Sequence, residues 1–199
     1  MNAFAIQKYL GRDEKVAIGK RIRTLRVIRD LTGEVFAATI GTTQGTLAGW
    51  EVRAIAPRTS IVSQICRTYG VSADWLLFGE QLPFDRTEPG DETPGSRLRE
   101  FRATLELSGD LFARTLGTSA ATLSVLENDK APIPLRIIFC LSEAYGLRAD
   151  WLLLGRQPVV RKGVERHPNP ASLEFAANAK AQLTGAALKA VFARTRPSK

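Results

Sequence analysis

The sequence predicts an all-α fold: two tandem five-helix domains joined by an acidic linker, with a C-terminal helical tail. Three observations carry that expectation. Shifted by 76 positions, the chain overlays itself without gaps. Residues 19–79 against 95–155 share roughly 23 identities in about 61 positions, and a fixed period of this kind marks duplicated units. Apolar residues in each copy recur three and four apart, the spacing of one helix face, and no alternating strand pattern competes with it. The chain has 199 residues, 44% hydrophobic and 24% charged, which suits a soluble globular protein with one ordinary domain or two small ones.

The elements of the first domain, 1–80, follow in order. Val16, Ile22, Leu25 and Ile28 recur at helical spacing over about 14–29. Thr32 has the side chain of an N-cap and opens a short helix over 33–39, with Phe36 and Ala37 inward. Gly41 marks a tight turn, where positive φ is tolerated without a side chain. A third helix at about 43–51 places Leu47 and Trp50 inward, Pro57 precedes a fourth over 58–69, and Ser72 caps a fifth carrying Trp75 and Leu76. Trp75 and Trp151 both follow an Asp at the same place in the repeat and are expected in the core.

The linker, 81–94, contains "QLPFDRTEPGDETP", which is acidic and Pro-rich. At its end Thr93-Pro94 reads as an N-cap followed by Pro at the first helical position. The second domain, 95–156, repeats the first with Leu98, Phe101, Phe112, Leu123, Ile137, Leu141 and Trp151. The basic, Ala-rich tail, 157–199, is expected to be helical, with Leu183, Leu188, Val191 and Phe192 on an apolar stripe that is a candidate dimer contact. Packing of that stripe on the chain's own domains, and a basic arm on DNA, remain open.

Net charge is +8, spread as +4 over 1–80, −3 over 81–94, +1 over 95–156 and +6 over 157–199. A basic balance favours a polyanionic partner. There is no apolar run near the roughly 18 residues of a membrane span and no secretory signal pattern, so a cytoplasmic, nucleoid-associated protein is expected. Cys66 and Cys140 sit in apolar helical patterns and are expected as buried thiols. His167 stands alone beside Pro, no Cys, His and carboxylate cluster has metal-binding spacing, and no Gly-rich phosphate loop is present. No enzyme, metal or cofactor is expected. No peptidase domain is expected in the 43 residues after 156.

Function is written in the contrast between two stretches. "GTTQGTLAGWE" at 41–51 and "GTSAATLSVLE" at 117–127 share Gly-Thr, Thr-Leu and Glu, and differ between. Two short helices about a Gly turn, the second amphipathic, form a helix-turn-helix arrangement. Ile22-Arg23-x-Leu25-Arg26, Phe36-Ala37-x-x-Ile40-Gly41, Thr43-x-x-Thr46-Leu47-x-x-Trp50-Glu51, Pro57 and Gly70-Val71-Ser72-x-Asp74-Trp75-Leu76-Leu77-x-Gly79 resemble the Cro/C1-type (XRE) family of helix-turn-helix proteins. "GTTQ" and "DWLL" look especially like the DNA-binding domains of lambdoid phage repressors. The resemblance covers 19–79 and, through the repeat, 95–155.

That resemblance implies a sequence-specific, DNA-binding transcriptional regulator, a repressor of prophage or mobile-element type. It places Thr43, Gln44 and Thr46 against base edges. Gln can pair bidentately with adenine N6 and N7, and a Thr methyl can rest on thymine. It places Arg53 and Arg58, with Lys20 and Arg21, on phosphates, and it makes Arg26–Glu51 and Arg102–Glu127 internal ion pairs. Gly33, Gly45 and Gly49 stand where the family often has polar residues. The second reading face is Ser119, Ala120, Thr122 and Ser124, flanked by Asp129 and Lys130. Two roles stay open for it: a weak reader using methyl contacts and groove shape, or a scaffold for packing, dimerisation or a protein partner. The expected partners are double-stranded DNA and a second copy of the chain. The alternative to a DNA regulator is a protein-binding module such as an antirepressor, antitoxin or inhibitor.

Overall fold

Apolar side chains three and four apart, closed off by short polar caps, give ten helices in the computed structural model, which describes residues 10–80 and 90–161. The tail beyond 161, with Leu183, Leu188, Val191, Phe192 and His167, lies outside the described residues, as does most of the linker. No β-strand runs through the described residues.

Two compact units divide the chain: α1–α5 belong to one, and α6–α8, α10 and most of α9 to the other. The first comprises α1 (Arg12–Ile28), α2 (Gly33–Thr39), α3 (Gln44–Glu51), α4 (Thr59–Tyr69) and α5 (Ala73–Phe78). The second comprises α6 (Pro94–Thr104), α7 (Gly109–Thr115), α8 (Ala120–Glu127), all but the first residues of α9 (Leu135–Tyr145), and α10 (Ala149–Leu154).

Side chains that satisfy the orphan amides of the first turn set the helix starts. Thr32, Thr43, Ser72 and Thr93 each accept the backbone N–H three residues on. Pro94 then costs nothing at the first helical position, where its missing N–H has no partner to lose. In the first unit the core holds Ile18, Ile22, Leu25, Phe36, Leu47, Trp50, Ile65 and Leu76. The rings of Phe36 and Tyr69 stack with centroids 4.9 Å apart. In the second unit Phe101 is the hub, with Phe112, Tyr145 and Trp151 rings at 6.5, 5.7 and 6.3 Å. Cys66 and Cys140 are buried and not joined in a disulfide.

Helix α1 crosses close to α3 because Gly19 has no side chain: a Cβ there would fall 2.0 Å from the Trp50 carbonyl oxygen. Gly95 has the same role on α6, where a Cβ would meet the Leu126 carbonyl oxygen at 2.4 Å.

Several expectations change. Ile28 is 57% exposed; it is the last residue of α1, so its place on the helical repeat does not give it a neighbour to pack on. Trp75 is only half-buried, whereas Trp151 is 5% exposed. The repeat supplies Leu25 at the position of Phe101, so the first unit lacks the ring that packs on Trp151. The last part of the expected linker is held on the second unit. Gly90 N–H donates to the Leu154 carbonyl at 2.7 Å, the Glu92 carbonyl accepts from Arg97, and Thr93 caps α6. The start of the expected tail is held likewise, with Arg148 N–H on the Val159 carbonyl at 3.0 Å and Arg161 N–H on the Gly146 carbonyl at 3.1 Å.

Candidate nucleic-acid interface

The α2–α3 corner is built by local hydrogen bonds. Gly41 takes φ 70°, a conformation that penalises a Cβ, and Thr42 N–H returns to the Ala37 carbonyl at 2.9 Å. Thr43 then caps α3, accepting Thr46 N–H at 3.2 Å, and its hydroxyl lies 2.9 Å from that of Thr46. The α7–α8 corner repeats each contact. Gly117 has φ 59°, Thr118 N–H reaches the Ala113 carbonyl at 2.9 Å, and Ser119 caps Thr122 N–H at 3.1 Å, with the two hydroxyls 2.9 Å apart.

An arginine fork fixes each corner to its first helix. Arg26 Nε and Nη2 donate to the two Glu51 carboxylate oxygens, each at 2.9 Å, and Nη1 donates to the Leu31 carbonyl at 3.0 Å. Arg102 does the same to Glu127 at 2.7 and 2.9 Å and to the Leu107 carbonyl at 3.2 Å. One side chain thereby joins the first helix, the third helix and the turn before the second. Such planar two-point pairs are directional as well as charged. Donating to the carboxylates raises both guanidinium pKa values, and partial burial opposes this without reversing it.

With Leu47 and Trp50 buried, α3 turns Thr43, Gln44, Gly45, Thr46 and Ala48 to solvent. Gln44 stands at the first turn, beside the start of α2: a Cβ on Gly33 would lie 3.5 Å from its Nε2. The absent side chain at Gly33 therefore leaves the amide unflanked on that side. Arg58, just before α4, and Lys20 on α1 are exposed cations. Arg23 is exposed beside Lys20, and the two line a shallow depression with Thr24, Val27 and Ile28. The three-residue spacing of Arg23 from Lys20 on one helix is the sequence signal for this pair of cations.

Two cations lie elsewhere than expected. Arg21 points inward: its Nη1 donates to the Leu76 and Leu77 carbonyls, both at 3.0 Å. It serves the carbonyl end of α5. Burial lowers its pKa, though from a starting point so high that it stays charged. Arg53 does not extend from the flank of α3 but folds back along it, Nη2 donating to the Gly45 carbonyl at 3.0 Å.

In the second unit Ser119, Ala120, Thr122, Ser124 and Lys130 are exposed. Arg99, which has no assigned role in the sequence reading, donates to the Glu127 carbonyl at 2.8 Å and to Asn128 Oδ1 at 2.6 Å, closing the end of α8. Asp129 accepts Gly95 N–H at 2.9 Å and the Thr93 hydroxyl. Its carboxylate thus satisfies the positive end of α6 instead of standing open at the flank.

A helix-turn-helix family model matches residues 22–76. Those residues, from within α1 into α5, are a helix-turn-helix domain. No curated protein and no solved structure matches the chain. The Gln44 surface therefore lies on the second helix of a helix-turn-helix, the element that enters the major groove when such domains bind DNA. Among the described residues no group of three or more His, Cys, Asp or Glu side chains could hold a metal ion, and no helix is long and apolar enough to cross a membrane.

Proposed function

We propose that the protein is a sequence-specific DNA-binding transcriptional regulator of the Cro/C1 type, acting as a repressor of a prophage or mobile element. The observation that carries this reading is the exposed first turn of α3 within the helix-turn-helix domain, where Thr43, Gln44 and Thr46 stand together above a rigid corner. Gln44 offers the acceptor and donor pair that matches adenine N7 and N6. Arg58 and Lys20 supply exposed positive charge for phosphates. The chain is a binding protein and not a catalyst in this reading, and it works inside the cell on double-stranded DNA.

The second unit has the same corner with small side chains at Ser119, Ala120 and Ser124. This favours for it a scaffold role, in dimerisation or toward a protein partner, over an equal share in reading. A homodimer would present two copies of α3 to an inverted repeat. This suits a domain with few base-reading side chains, because linked sites bind at a high effective concentration.

Footprinting on DNA flanking the protein's own gene tests the proposal. Protection of a discrete site is expected, and Gln44→Ala should weaken that site by about 1–3 kcal/mol while relaxing the choice at one adenine. Uniform, sequence-independent protection would overturn it and favour the protein-binding alternative.

A further inference from the structure

Helix α3 has an unusual outer ridge. At about 100° per residue, Gly45, Ala48 and Gly49 fall opposite Leu47 and Trp50, so the side turned furthest from the core carries nothing longer than a methyl group. Such a ridge, taken alone, has almost nothing with which to read a base. Yet Gly49 is itself buried, because residues beyond the helix end fold back over it: a Cβ there would lie 3.3 Å from Ile55 Cδ1 and 3.6 Å from Arg53 Nη2. Arg53 continues along the ridge to the Gly45 carbonyl, 3.0 Å away. Two glycines one turn apart thus make a track, and an arginine lies in it.

The second unit provides an internal control. The positions equivalent to Gly45, Gly49 and Arg53 are Ala121, Val125 and Asp129. Val125 is exposed on the ridge, and Asp129 is turned to the start of α6. Track and arginine occur together in one unit and are lost together in the other.

We propose that Arg53 is a specificity-determining residue that reads a guanine in the major groove from the Gly45–Gly49 track. This rests on the reading of the first unit as a DNA reader. One N–H is held by the Gly45 carbonyl, and the rest of the guanidinium fork remains for the O6 and N7 acceptors of guanine, the pairing arginine makes best. The tether fixes a long side chain before binding, so less freedom is lost on contact. An arginine serving only a phosphate would need no bare helix beneath it.

The experiment selects bound sequences from a randomised duplex library with the full chain, then measures the selected duplex against R53A, R53K and Gly49→Val, the last copying Val125 into the track. Thermal melting of each variant checks folding. The proposal expects one invariant G·C pair in the wild-type selection. R53A should lose about tenfold to a hundredfold on that duplex, with a far smaller change on unselected DNA. Gly49→Val should reproduce the loss with Arg53 intact, and R53K should recover binding but not the guanine preference. Replacing that guanine by 7-deazaguanine should weaken the wild type and leave R53A unchanged. Equal loss by R53A on every duplex, with the guanine preference kept, would make Arg53 a phosphate ligand and overturn the inference alone. Failure of the wild type to enrich any sequence would instead overturn the DNA-reading assignment beneath it.

Discussion

The two units use one set of joints and differ at what those joints hold out. Arg26–Glu51 and Arg102–Glu127 make the same fork, Gly19 and Gly95 the same helix crossing, and Gly41 and Gly117 the same turn. Just past the third helix the likeness ends. Arg53 lies back on α3, whereas Asp129 holds the start of α6. At the far side of the unit, Ser72 caps α5 with its hydroxyl, but Arg148 opens α10 by pairing with the buried carboxylate of Asp150 at 2.9 Å. The difference separates two kinds of residue. The forks, crossings and turns kept between copies join backbone or each other, whereas the changes at and past the third helix fall on residues that face solvent or a neighbouring segment.

The largest effect that could break this comparison is at the tryptophans. Trp151→Ala removes a buried ring that packs on Phe101 and should cost about 3–5 kcal/mol. Trp75→Ala removes a half-buried ring and should cost less, about 1–2 kcal/mol. Urea melts of the two variants compare them directly. An equal or larger loss from Trp75 would show that the same position carries the same load in both units.

Next in size is the helix crossing. A methyl at Gly19 or Gly95 would meet a carbonyl oxygen well inside contact distance, at 2.0 and 2.4 Å. Because the obstacle is backbone, the helices themselves must part. Gly19→Ala and Gly95→Ala should each destabilise by about 1–3 kcal/mol, more than Gly→Ala gains from helix propensity. A rise in melting temperature for either variant would show that the crossing has slack.

Asp129 gives a smaller effect confined to the second unit. Asp129→Ala leaves Gly95 N–H without its carboxylate and should cost about 1 kcal/mol, as the loss of a helix cap does. Arg53→Ala, at the equivalent place, should change stability by no more than about 0.5 kcal/mol, since its side chain is exposed. Comparable losses from both would make the position structural in each unit.

Much of this was legible in the sequence because capping is a local rule. Thr32, Ser72 and Thr93 announce helix starts within three residues of themselves, and each is where the structure begins a helix. What was not legible depends on distant backbone. Arg21 reads as one more surface cation until its partners, 55 and 56 residues away, are known. The repeat did carry a hint: Arg97, its counterpart, is also arginine and donates to the Leu152 carbonyl at 2.9 Å, whereas the exposed Gln44 becomes Ala120. The burial of Trp75 could not be read from its own spacing either, because it turns on whether position 25 carries a phenyl ring. For the candidate site, the exposed turn at Thr43–Thr46 was foreseeable from helix phase, but the path of Arg53 was not. Phase describes where a helix points its own side chains, and Arg53 comes from beyond the helix end.

The smallest expected effect sharpens the line between holding DNA and reading it. Arg58 precedes α4, is exposed, and makes no side-chain cap there. It therefore has little work in the fold, and Arg58→Ala should leave the melting temperature almost unchanged. If its charge meets a phosphate, the variant should bind every duplex more weakly by the same factor, since phosphates carry no sequence. The dependence of log K on log salt should flatten by about one unit, the signature of one lost counterion-releasing contact. Gln44→Ala should do the reverse, keeping the salt slope and losing the choice of base. The equivalent of Arg58 in the second unit is Pro134, and that of Gln44 is Ala120, so the copy has neither side chain. If Arg58→Ala left the slope unchanged while lowering affinity for one sequence only, the division would fail, and the cation before α4 would have to be counted among the readers.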